Sequence, residues 1–148
     1  MTKSAKKAPE TGTVSNIEQR LTTLARTLES LQRKRRYPLE RAHYILLWVI
    51  LRHGPQTVSA LAGHLRLDNS TVTRQVAAME KAALLERNNN PEDGRSQLLS
   101  VTPLGRDKAE SMRRVRIERI ASMMKSWPEA DQIELVRLLD RLIDDLAT

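Results

Sequence analysis

Apolar residues between positions 57 and 101 follow first a helical spacing and then the short runs typical of strands. Thr57 carries a hydroxyl that can cap a helix, and the apolar residues after it recur at helical spacing at Val58, Leu61, Ala62 and Leu65. This pattern predicts a short helix over residues 57–66. The chain then turns at Leu67, and a second period begins.

A second helix is predicted from Asp68 to about residue 83, because the Asp68 carboxylate can accept bonds from first-turn amides. Its inward face is predicted to carry Val72, Val76, Met79 and Ala83. The opposite stripe is polar and small, with Ser70, Thr73, Arg74 and Ala77. A helix that enters the DNA major groove needs such residues, so we predict DNA contacts from Ser70, Thr71, Thr73, Arg74 and Gln75. For this helix alone, an ordinary solvated face explains the pattern equally well.

A projecting hairpin is predicted next, because two β-prone segments, residues 84–87 and 97–101, flank a run of turn-forming residues. Arg95 near its tip is placed to enter a narrow minor groove, and Asp93 to orient Arg95 through a charge-assisted bond. Arg87, Asp93 and Arg95 therefore join the predicted DNA-binding residues. A surface turn with an incidental salt bridge is the alternative for this loop taken alone.

These residues together resemble the MarR family of winged helix-turn-helix transcription regulators. The resemblance rests on five short segments: Leu61-Ala62, residues 70–74 (STVTR), residues 84–87 (LLER), Asp93-Gly94-Arg95 and residues 101–105 (VTPLG). Val101 replaces the Leu of the family pattern, and the chain departs from that pattern in two further places. Ala83 stands where the family commonly has Gly, and Gly94 stands where a second basic residue often precedes the wing Arg.

Both ends of the chain carry apolar seams that a small winged domain does not cover. Val14, Ile17, Leu21, Leu24, Leu28 and Leu31 alternate at spacings of three and four, and a broad apolar face follows Pro128. We predict a homodimer interface from both ends, as the resemblance also implies, formed by Ile17, Leu21, Leu24, Leu28, Leu135, Leu139, Leu142, Ile143 and Leu146. Packing of these apolar faces within a single chain is the alternative. A two-fold dimer should bind a pseudo-palindromic operator.

The predicted organisation is a disordered tail (residues 1–13), an N-terminal dimerisation helix (14–36), a winged helix-turn-helix domain (37–101) and C-terminal helices that complete the dimerisation lobe (102–148). The fold class is mainly α with a two-stranded wing. By resemblance, small aromatic or phenolic effectors bind where the lobe meets the DNA-binding domain. The residues predicted for this site are Tyr37, Arg41, His43, Tyr44, Trp48 and Arg116, although aromatic residues at helical spacing are more often core.

The net charge of +7 suggests a nucleic-acid partner, but its distribution weakens that argument. Residues 37–101 contain seven basic and six acidic side chains, so the predicted DNA-binding domain is nearly neutral. The inference of double-stranded DNA as the partner therefore rests on where individual arginines stand. The basic runs at residues 33–36 and 113–119 are interpreted as solvated helix faces.

Other function classes find little support. The longest apolar run, residues 44–51, is far shorter than the roughly 20 residues of a membrane span, and no signal peptide is visible, so we expect a cytoplasmic protein. Cysteine is absent, and His43, His53 and His64 lack metal-ligand spacing, so neither a cofactor, a metal nor an enzyme is expected. Low aromatic content argues against stacking on single-stranded RNA. We expect a ligand-responsive repressor; an activator, or an effector-independent DNA- or RNA-binding module, is the alternative.

Overall fold

The structure is a computed structural model, and it describes residues 11–33 and 37–147. Its order is α1 (Thr11–Arg33), α2 (Arg41–His53), α3 (Val58–Leu65), α4 (Asn69–Lys81), β1 (Leu85–Asn89), β2 (Gln97–Val101), α5 (Pro103–Met123) and α6 (Glu129–Ala147). The mainly helical winged helix-turn-helix fold predicted from the sequence is confirmed. None of the helices in the described ranges is long and apolar enough to cross a bilayer.

The chain divides into two compact units, and the boundary between them lies between residues 37 and 38. The first unit contains α1, which begins at Thr11 and so includes three residues that the sequence assigned to a tail. Residues 1–10 of that predicted tail, and the basic residues 34–36, lie outside the described part. The apolar seam of α1 is solvent-exposed: Val14, Ile17, Leu21, Leu24 and Leu28 keep 42–51% of their accessible surface.

The core of the second unit lies between α2, the helix pair α3 and α4, the wing and the first half of α5. Its largest fully buried side chains are Leu46, Leu47, Leu61, Met79, Leu99, Met112, Val72 and Val76. The inward faces predicted for α3 and α4 are thus confirmed at Leu61, Ala62, Val72, Val76 and Met79.

Ala83 does not belong to that core, contrary to the sequence prediction. Helix α4 ends at Lys81, and Ala83 is exposed with a φ of 56°, in the left-handed region. The chain turns sharply here because Leu84 and Leu85, both buried, must enter the wing directly after the helix. A left-handed residue at this point favours glycine.

The wing is an antiparallel hairpin in which Leu85 pairs with Val101 and Asn89 with Gln97. Gln56 adds an isolated bridge to Leu99, with Gln56 N to Leu99 O at 3.2 Å and Leu99 N to Gln56 O at 2.8 Å. Helix α5 then starts against the wing, with Thr102 as its N-cap and Pro103 in its first turn. Gly105 is buried there, and a Cβ at this position would lie 2.2 Å from the carbonyl oxygen of Leu84.

Candidate nucleic-acid interface

Two side-chain caps set the starts of α3 and α4, as the sequence predicts. The Oγ1 of Thr57 accepts a hydrogen bond from the amide of Ala60 at 3.1 Å, and Oδ1 of Asp68 accepts one from the amide of Thr71 at 2.7 Å. Asp68 also accepts bonds from the hydroxyls of Ser70 and Thr71. These bonds, led by that of Ser70, hold the pKa of Asp68 well below its ordinary value, so the cap stays charged.

The residues predicted to contact DNA from α4 divide between two faces of the helix. Ser70, Thr73 and Arg74 are exposed, whereas Thr71 and Gln75 are half-buried and line a pocket against α2. The hydroxyls of Ser70 and Thr71 already donate to Asp68. Thr73 Oγ1 donates to the carbonyl of Asn69 at 2.7 Å, which leaves its methyl group and an acceptor lone pair for a partner. Among the residues that the structure describes, the Arg74 guanidinium has no hydrogen bond or ion pair, so it is the strongest available donor on this stripe.

The wing tip is ordered by its own side chains. Asn90 Nδ2 donates to Ser96 Oγ at 2.8 Å, and Asn90 Oδ1 accepts from the amide of Glu92 at 3.1 Å. Asp93 Oδ1 accepts a hydrogen bond from the backbone amide of Arg95 at 3.0 Å, so Asp93 orders the backbone of the wing tip. The predicted charge-assisted bond between Asp93 and the Arg95 guanidinium is not formed. Within the described ranges, no carboxylate pairs with the exposed Arg95 side chain.

An open groove of about 890 Å³ separates the wing from the starts of α3 and α4. Thr73 lines it from α4 and Arg95 lines it from the wing, so these two predicted contact residues face the same space. Thr57, Ser59 and Asn69 also line it, and sequence reasoning did not select them as contacts. In the sequence, these residues differ from others only in having a polar side chain close to a predicted helix start. The groove forms only when three elements pack together, so the sequence does not indicate which polar residues line it.

The six residues predicted to bind an effector differ in their surroundings. Arg116 lies over the ring of Tyr44, with its guanidinium carbon 5.4 Å from the ring centroid, and Trp48 is covered in the same way by Arg52 at 5.1 Å. His43 and Tyr37 are half-buried. Arg41 lines a pocket of about 320 Å³ between α2, α3 and α4, whose walls include Ile45, Leu46, Leu65, Leu67 and Val72.

Helix α6 carries a long apolar face that the described chain leaves uncovered. No residue of α6 is buried; Leu139, Ile143 and Leu146 are exposed, and Leu135 and Leu142 are half-buried. At its C-terminal end, the guanidinium of Arg66 donates to the carbonyl oxygens of Leu146 and Ala147 at 3.2 and 3.0 Å. A cation at the negative end of a helix dipole is favourable, and this contact joins α6 to the turn between α3 and α4.

Comparisons with known proteins agree on one family. The model of the MarR family matches residues 39–97. The helix-turn-helix transcriptional regulator YxaD of Bacillus subtilis is 37% identical over 131 residues, which cover 87% of this chain and 92% of YxaD. The transcriptional repressor IacR of Pseudomonas putida is 28% identical over 110 residues, covering 74% and 66% of the two chains. A MarR family protein from Bacillus stearothermophilus has the same fold, with a TM-score of 0.84, 23% identity and coverage of 95% and 100%.

Proposed function

This chain belongs to the MarR family, and from that premise we propose that it represses transcription as a homodimer on a pseudo-palindromic operator and leaves the operator when a small molecule binds. Membership of the family, together with a relative that is 37% identical over most of both chains, makes it a DNA-binding transcription regulator and not an enzyme.

The observation that carries this proposal is the groove shared by Thr73 and Arg95. With α4 in the major groove, the methyl group of Thr73 suits a thymine methyl, and the adjacent Arg74 suits the O6 and N7 acceptors of guanine. The wing then reaches along the duplex to the neighbouring minor groove, where Arg95 meets the enhanced negative potential. The hydrogen bond from the Arg95 amide to Asp93 supports this role for Arg95, because it orders the backbone of the wing tip and does not involve the Arg95 guanidinium.

The apolar faces of α1 and α6 support the homodimer. A monomeric protein rarely exposes contiguous apolar surface on this scale, and two long helices with exposed seams are suited to self-association. In such a dimer a two-fold axis relates the two winged helix-turn-helix domains, so the two half-sites of the operator are expected about one helical turn of DNA apart.

The pocket beside Arg41 supports a ligand response, and the relation to IacR supports the direction of control. A volume of about 320 Å³ suits a small organic molecule, and Arg41 supplies one cation at the edge of otherwise apolar walls. A small aromatic or phenolic acid has the matching chemistry. Because Thr71, Val72 and Gln75 of α4 form one wall, a ligand that widens the pocket would displace the DNA-reading helix.

The proposal is tested by recovering operator fragments from genomic DNA with the purified protein and measuring affinity by fluorescence anisotropy. Specific binding to a two-fold symmetric site, with one dimer per site by analytical ultracentrifugation, is the expected result. Transcription from that promoter in vitro should fall when the protein is added, and a rise would mean activation. Equal affinity for duplex DNA and single-stranded RNA at the same salt concentration would refute operator recognition. Aromatic acids such as salicylate should lower operator affinity and raise the melting temperature; no change in either would refute a phenolic effector.

A further inference from the structure

The imidazole rings of His53 and His64 lie face to face, although the two residues are eleven positions apart in the sequence. Their ring centroids are 4.7 Å apart and their planes differ by 20°. His53 is the last residue of α2, and His64 stands in the last turn of α3. The fold therefore creates a histidine pair that spacing along the chain did not indicate.

Both imidazole rings are exposed to solvent, and their nitrogens are available to bind a ligand. Each side chain is exposed, and within the described ranges neither ring has a hydrogen bond or an ion pair. The carbonyl of His53, not its ring, accepts the bond from Gln56 at 3.4 Å. An exposed pair of this kind can rotate about its side-chain torsions without disturbing the core, because neither ring packs into it.

We propose that His53 and His64 together bind one divalent transition-metal ion, with water completing the coordination shell. A metal–nitrogen distance of about 2.0 Å and a tetrahedral angle between two imidazoles place the ring centroids roughly 5 Å apart, close to the separation that the structure already has. Rotation of both exposed rings about their side-chain torsions turns one nitrogen of each toward a shared ion.

The ends of two helices favour a cation at this position. Both histidines stand in the last turns of their helices, where the helix dipoles place partial negative charge. The nearest basic neighbour in sequence, Arg52, is directed over the ring of Trp48 at 5.1 Å. Imidazole selects Cu²⁺, Ni²⁺ and Zn²⁺ over the oxygen-preferring Mg²⁺ and Ca²⁺. A bound ion cross-links the end of α2 to the end of α3, just before the turn that leads into α4.

The chain has three histidines and no cysteine, so few other side chains compete for a transition-metal ion in the test. The full-length protein without an affinity tag is stripped of metal and titrated with ZnCl₂ and NiCl₂ by isothermal calorimetry. We expect one ion per chain, a fall in affinity of about 10-fold or more in both His53→Gln and His64→Gln, and an unchanged affinity in the matched control His43→Gln. Unchanged affinity in a variant that carries both His53→Gln and His64→Gln, or the same response to MgCl₂, would overturn the proposal of a metal site.

A second measurement needs no variant. The imidazole proton resonances of the wild-type protein should show two of the three histidines shifting with added Zn²⁺, while the third stays in place. A shift of all three, or of none at saturating Zn²⁺, contradicts the proposal. Thermal unfolding of the metal-free variants checks that the substitutions leave the fold intact. The outcome is independent of operator binding, which is measured separately without metal.

Discussion

The Nε atom of Arg87 donates a 2.7 Å hydrogen bond to Oε1 of Glu80, which joins the first strand of the wing to the last turns of α4. The two side chains keep about a third of their surface, at 32% and 28%. Arg87 was predicted from the sequence as a DNA contact. In the fold its charge is opposed by Glu80, so the pair brings little net positive charge to the surface that we propose binds DNA.

We therefore expect Arg87→Ala to weaken operator binding by about 1 kcal/mol or less, mainly by loosening the wing. The dependence of affinity on salt should remain nearly the same, whereas loss of a phosphate contact would reduce its logarithmic slope by about 0.9. Anisotropy titrations at several salt concentrations distinguish the two. Glu80→Gln is the matched control, because it removes the pair while keeping the arginine, and it should steepen the slope.

Arg74→Ala is expected to cost about 1 to 3 kcal/mol of operator affinity and to relax sequence preference at one position in each half-site, because we propose that this exposed guanidinium reads a base edge. Competition among operators with single substitutions measures this. Arg137→Ala removes the same charge on α6, where Arg137 pairs with Glu134 at 2.8 Å, and should leave affinity unchanged. A uniform loss over all sequences would instead assign Arg74 to phosphate.

Arg95→Ala should weaken binding chiefly to operators with A·T-rich flanks, because a narrow minor groove strengthens the potential that attracts the wing arginine. The same operator with G·C-rich flanks serves as the internal control, and the difference between wild type and variant should shrink on it. Equal losses on both flanks, or none on either, contradict the minor-groove contact.

Ala83→Gly is expected to raise the free energy of unfolding by about 0.5 to 1 kcal/mol. The left-handed φ of 56° strains alanine, and the greater freedom of glycine in the unfolded chain offsets only part of the relief. Ala82→Gly is the control: its φ of −84° is ordinary, so the same substitution should destabilise. Urea unfolding of both variants gives the comparison, and a loss of stability in Ala83→Gly would be evidence against strain at this turn.

Gly105→Ala should destabilise the protein by about 1 to 3 kcal/mol, because the added Cβ would meet the Leu84 carbonyl at 2.2 Å and force α5 away from the wing. Gly63→Ala is the opposite case, since nothing lies within 4 Å of a Cβ there and the residue is inside α3. That substitution should stabilise by about 0.5 to 1 kcal/mol. Thermal unfolding followed by circular dichroism tests whether the two changes have opposite signs.

Local rules predicted the element starts well. Thr57 and Asp68 both stand as N-caps, and the strand at Gln97–Val101 has the predicted bounds. Each depends on side chains within three or four residues, so a single segment contains the information. The same reasoning failed at Ala83, where helical periodicity continues in the sequence but the buried residues that follow require a sharp turn.

The sequence by itself determined the succession of helices and wing, the family, and the polar stripe that carries Thr73 and Arg74, because these features are periodic or lie close together in the chain. Tertiary structure decided which of the predicted residues act on the same space. It brought Thr73 and Arg95 to one groove, paired Arg87 with Glu80, placed Arg41 at a pocket beside α4, and placed His53 against His64. These relationships depend on how helices pack across long sequence separations, and packing is a property of the whole core rather than of any one segment.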